Sequence, residues 1–153
     1  MPLEKRVLAA EAFWRDTESP DIAAQQAEAV VAIARRLNFR TRSVQTLPIE
    51  RRAKHLAQLD VSEGIATRAL ISYHFTLQRP LMSAFLDALG IAHEDGLISE
   101  EDVAPPEAAR LASAVETVRG TFPSDDVERY LRTLATLDGD TWVHLDGVLA
   151  GKA

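Results

Sequence analysis

The sequence predicts an all-α fold, a compact bundle of about seven or eight short-to-medium helices forming a single domain over residues 1–153, with no significant sheet. Helix start and stop residues recur at short intervals, and apolar residues repeat at helical spacing between them. No segment alternates apolar and polar residues for long enough to make a strand. At 46% apolar and 26% charged residues, the composition is that of an ordinary globular chain able to bury one core.

The first helix runs from about Leu3 to Arg15 and ends at the polar break Thr17 to Ser19. Ser19 reads as the next N-cap, with Pro20 at the first helical position and Asp21 behind it. The alanine-rich stretch that follows closes at Arg35, Arg36 and Asn38, cations and a residue tolerant of left-handed geometry where a C-terminus favours them. A basic connection with room for one helical turn leads to Pro48. That proline opens a helix with Ile49, Leu56 and Leu59 on one face and Arg51, Arg52 and Lys54 largely toward water.

Ser62 caps a helix from Glu63 to about Gln78. Ile65, Ala66, Ala69, Leu70, Tyr73 and Leu77 form its broad apolar face, while Ile71 and Phe75 lie off it, the pattern of a central helix. Pro80 removes a donor and disfavours helical geometry at Arg79, so the chain kinks or restarts there before a helix that stops at Gly90. Pro105 and Pro106 begin a helix carrying Leu111, Ala112, Val115 and Val118 that ends at Gly120. Ser124 caps the clearest amphipathic helix, with Val127, Tyr130, Leu131, Leu134 and Leu137 on one stripe. A tight turn at Asp138 to Asp140 precedes a terminal segment with Trp142, Leu145 and Leu149.

The stretch "HEDGLISEED", His93 to Asp102, has the glycine, Ile98, Ser99 and closing acid of the second half of an EF-hand loop. Its first ligand position is Ile91 and the next is His93, and a hydrocarbon cannot coordinate a hard cation. The expected structure is a turn at Gly96, then a short helical turn capped by Ser99 with Asp102 in the capping-box position. No metal and no cofactor are expected: the four histidines lack ligand spacing, cysteine is absent, and no glycine-rich phosphate loop or nucleophile elbow occurs.

Net charge is −6, which disfavours nonspecific nucleic-acid binding, but the charges are unevenly placed. From Arg35 to Lys54 seven cations face one acid, Glu50, whereas Pro80 to Ala109 holds seven acids and no Lys or Arg. Arg40, Arg42, Arg51, Arg52 and Lys54 are therefore candidates to meet Glu94, Asp95, Glu100, Glu101 and Asp102, within one chain or across a dimer. The chain reads as a non-catalytic, cytoplasmic helical interaction protein that self-associates. Its N-terminal segment is not expected to act as a signal peptide, no transmembrane stretch is expected, and the lack of cysteine fits a reducing compartment.

An alternative is a small helical enzyme or ligand-binding protein with a pocket near the Arg79–Pro80 kink, where Tyr73, His74, Arg79 and His93 are the candidate residues. Arg68 and Arg79 also suggest anion binding, but on an unbroken helix they lie about 16 Å apart, too far to hold one phosphate. A second alternative is a regulator contacting nucleic acid through Arg35 to Lys54, although only Phe39 supplies an aromatic there. Trp14 and Trp142 are expected to pack in apolar surroundings.

Overall fold

A computed structural model describes residues 1–151. Among them the chain forms nine helices and one two-stranded antiparallel hairpin, an all-α fold. The helices are α1 (Leu3–Arg15), α2 (Ile22–Leu37), α3 (Thr41–Gln45), α4 (Ile49–Ala57), α5 (Glu63–Leu77), α6 (Arg79–Leu89), α7 (Ala108–Arg119), α8 (Ser124–Leu137) and α9 (Leu145–Leu149). The strands β1 (His93–Glu94) and β2 (Leu97–Ile98) lie between α6 and α7. The backbone divides into two compact units, residues 1–76 and 77–151.

The first unit is organised by α1 lying along α4, with α2 against both α3 and α4. Phe13, Ala29, Ile33, Val44 and Ala53 are completely buried at its centre, and Trp14, Leu56 and Ile65 extend the same core. Each large side chain removed from water in this way contributes about 1.5–3 kcal/mol. The Gln26 side-chain amide donates to the Phe13 and Asp16 carbonyls, both at 2.9 Å, filling acceptors that α1 leaves open at its C-terminus. At the end of α2, Asn38 is left-handed (φ 55°), and the amides of Asn38 and Phe39 return to the Arg35 and Ala34 carbonyls, a Schellman closure.

Ser62 caps α5 as expected, its Oγ accepting from the Ile65 amide at 3.4 Å. Ser19 does not cap α2. Asp16 Oδ1 takes the amides of Glu18 and Ser19 at 3.0 Å each, and Asp21 enters the left-handed region (φ 60°) before Ile22 begins the helix. A carboxylate three residues upstream thus outcompetes the serine for the turn.

In the second unit α7 packs on α6 and α9, α8 packs on α7 and α9, and the hairpin lies on α6. Leu81, Phe85, Leu86, Leu111, Val127, Leu131 and Leu145 are fully buried. The Phe85 ring meets Tyr130 edge to face at 5.8 Å and lies 5.9 Å from Trp142. Burial pushes the Tyr130 hydroxyl far above its ordinary pKa. Gln78, at φ −119°, interrupts the helix between α5 and α6, and Pro80 occupies the first turn of α6. Gly90 (φ 69°) closes α6.

The structure departs from the sequence expectation at three further places. The stretch after Gly90 is a hairpin with His93 opposite Ile98 and Glu94 opposite Leu97, turned by Asp95 (φ 51°) and Gly96 (φ 91°). Asp-Gly is the sequence that favours this turn, and Ser99 caps no helix because the chain leaves the strand without coiling. Helix α7 begins at Ala108 after an extended Glu107, not at the prolines. Ser124 is the first residue inside α8, the residue before it being Pro123 in extended geometry.

Candidate functional site

Helix α1 has two different halves. From Ala9 to Trp14 its apolar residues are buried, whereas Leu3 and Leu8 remain 46% and 41% exposed with Val7 half-buried beside them. Single exposed leucines are ordinary on a protein surface; these three line one groove. The groove has a volume of about 460 Å³ and is bounded by Leu3, Glu4, Val7 and Leu8 of α1 and by Lys54 and Gln58 at the end of α4.

An adjoining cleft of about 310 Å³ shares Lys54 and Gln58 and adds Arg51 and His55. Positions 51, 54, 55 and 58 follow helical spacing, so α4 turns Ala53, Leu56 and Ala57 inward and lays a cationic ridge beside the greasy floor of α1. Together they set exposed apolar side chains beside cations on one surface.

The cations of the basic segment separate into different roles. Glu50, the sole acid of that segment, is taken by Arg15 at 3.1 Å, tying the end of α1 to the start of α4. Its own backbone amide and then Arg15 hold the Glu50 carboxyl below the usual range. Arg52 is turned inward, its guanidinium carbon 4.9 Å from the centre of the Trp14 ring. Lys54 at the groove and Arg51 in the adjoining cleft are exposed and enter no ion pair among the described residues. Arg40 and Arg42 are exposed around the start of α3 and do not line the groove.

Near the other end of α1, burial acts to raise the Asp16 pKa. Hydrogen bonds from the Ser19 side chain, the Glu18 and Ser19 amides and Ser72 outweigh it and hold the carboxyl below its ordinary value. Ser72 Oγ donates to Asp16 Oδ2 at 3.3 Å, fastening α5 to the α1–α2 turn.

In the same unit, Tyr73 and His74 are both buried on α5, their rings edge to face at 5.6 Å. Arg79 and His93 belong to the second unit, where they hold the hairpin. Arg79 Nη1 donates to the Asp95 carbonyl at 3.0 Å and reaches its carboxylate at 3.4 Å. His93 Nδ1 accepts the Gly96 amide at 3.1 Å, so Nε2 carries the proton and donates to Asp87 at 2.6 Å. With both nitrogens engaged, this imidazole serves as a brace.

The remaining acids lie on the hairpin and the segment after it. Glu94, Asp95, Glu100, Glu101 and Asp102 are all exposed, and of these Asp95 alone forms an ion pair among the described residues. No group of three or more metal-binding side chains occurs among those residues, and no helix in them is long and apolar enough to cross a membrane. No protein family, no curated protein and no solved structure matches the chain.

Proposed function

We propose that this chain is a non-catalytic helical interaction protein that self-associates through the α1–α4 face of its first unit. The observation that carries the reading is the groove itself: Leu3, Val7 and Leu8 meet water beside two cations, Arg51 and Lys54, that no acid neutralises among the described residues. Covering such a surface removes apolar area from water at about 25 cal/mol per Å² and gives the cations a partner. His93 is committed to structure at both nitrogens, accepting the Gly96 amide and bonding Asp87, which further favours binding over catalysis at that residue. A reducing cytosol, suited to a chain without cysteine, is the proposed setting.

Sedimentation velocity across the micromolar to submillimolar range tests the reading. The unaltered chain is expected to shift to larger species with concentration, and Leu8→Glu, on a side chain already in water, to remain monomeric with unchanged helix content. A concentration-independent monomer, or an oligomer indifferent to Leu8→Glu, would refute it.

A further inference from the structure

We infer that the groove is filled by the acidic hairpin segment, Glu94 to Asp102, of a second copy of this chain, with Leu97 seated among Leu3, Val7 and Leu8. The inference rests on the α1–α4 face being a docking surface and adds the identity of its occupant. The charges of the two units are opposed. Residues 1–76 carry eleven Lys and Arg against nine Asp and Glu, and residues 77–151 carry five against fourteen. A partner for the basic ridge is therefore encoded in the same chain.

The hairpin presents the matching chemistry. Residues paired across an antiparallel ladder point to the same face. Glu94 and Leu97 are such a pair and both are exposed, Leu97 at 45%, while the alternate pair, His93 and Ile98, is half-buried. One carboxylate and one leucine thus project side by side, with Glu100, Glu101 and Asp102 exposed just beyond them. The groove offers the complement, three apolar side chains bordered by Lys54, with Arg51 in the adjoining cleft; its one acid, Glu4, lies on α1.

The projecting pair is also preorganised. Arg79 holds Asp95, Asp87 holds His93, and His93 holds the Gly96 amide. The backbone at Gly96 lies so close to α6 that a β-carbon there would stand 2.8 Å from Met82 Cβ. A presented edge that is already rigid loses little freedom on docking. Each copy carries one groove and one acidic segment, so a closed pair makes the contact twice.

Charge exchange between two full-length variants tests the assignment. One carries Arg51→Glu with Lys54→Glu, and the other carries Glu94→Lys with Glu100→Lys; circular dichroism first confirms that both keep their helix content. Alone, each sets like charges against one another and should self-associate about tenfold or more weakly than the unaltered chain. Mixed in equal amounts they should recover association, because the acidic groove of one now meets the basic segment of the other. Leu97→Ser should weaken association without changing charge.

If Leu8→Glu abolishes self-association while the Glu94/Glu100 and Leu97 variants associate as the unaltered chain does, the docking face stands and this occupant is wrong. Failure of the mixed pair to associate also overturns the assignment. If the unaltered chain stays monomeric throughout, both readings fall.

Discussion

Replacing Gly96 with alanine tests how the hairpin is seated. At φ 91° the position lies where a side chain strains the backbone, at a cost on the order of 1–3 kcal/mol. The new methyl would also stand 2.8 Å from Met82 Cβ and 3.4 Å from Met82 Cε. The terminal methyl can swing aside; the β-carbon is fixed to α6, so relief requires the hairpin to lift or the helix to shift. Overpacking of this kind adds about 1–3 kcal/mol.

The total is capped, because the chain can instead release the hairpin. That forfeits the Arg79–Asp95 contacts, the His93–Asp87 bond and the Gly96–His93 bond, each contributing about 1 kcal/mol. Gly96→Ala should therefore cost a few kcal/mol, on the order of 3, in an equilibrium denaturant measurement, and accelerate amide exchange at Gly96 to Ile98 more than in α7 or α8. A variant equal to the parent in stability and in hairpin exchange would show that the hairpin does not rest on Met82.

Other perturbations have equally definite outcomes. Gly147, inside α9, has open space for 4 Å around the point where a β-carbon would stand, so alanine there should gain about 0.5–1 kcal/mol in denaturant unfolding. Phe85→Ala should cost about 3–5 kcal/mol, since the ring is fully buried against Tyr130 and Trp142, and Trp142 fluorescence should move to the red. Asp16, Glu50 and Asp138 all have carboxyl pKa values lowered on folding. A lowered folded pKa means stability that is present above the unfolded pKa of about 4 and lost as pH falls through the folded one. Urea unfolding should accordingly weaken below about pH 4, and Asp16→Asn should flatten that acid limb; a pH-independent midpoint from about pH 6 to about pH 3 would contradict the assignment.

Much of the helical framework is legible in the sequence because its punctuation is local. The polar break after Arg15, Asn38 beyond α2, Pro48 before α4 and Pro80 within the first turn of α6 each act through their own backbone geometry, and each element begins or ends where they stand. Ser19 fails as a cap because Asp16, three residues away, claims the amides of the turn. The hairpin escapes a reading of periodicity because strands of two residues leave no alternation to read; the Asp95–Gly96 pair is the available signal.

The charge blocks are visible in sequence, but not their use. That Arg52 stacks on Trp14 while Lys54 borders a groove depends on where α1 lies across α4, a tertiary fact. Leucines at positions 3 and 8 likewise have the same helical spacing whether covered or bare. Trp14 is buried as its type suggests, but only the fold shows that α1 leaves its first turns in water.

The most direct measurement of the central claim is amide NMR of the full chain on serial dilution. The docking account predicts concentration-dependent shifts confined to Leu3 through Leu8, Arg51 through Gln58 and Glu94 through Asp102, with the buried face of α2 unchanged. Spectra that superimpose at every concentration, or shifts that fall elsewhere, would contradict it.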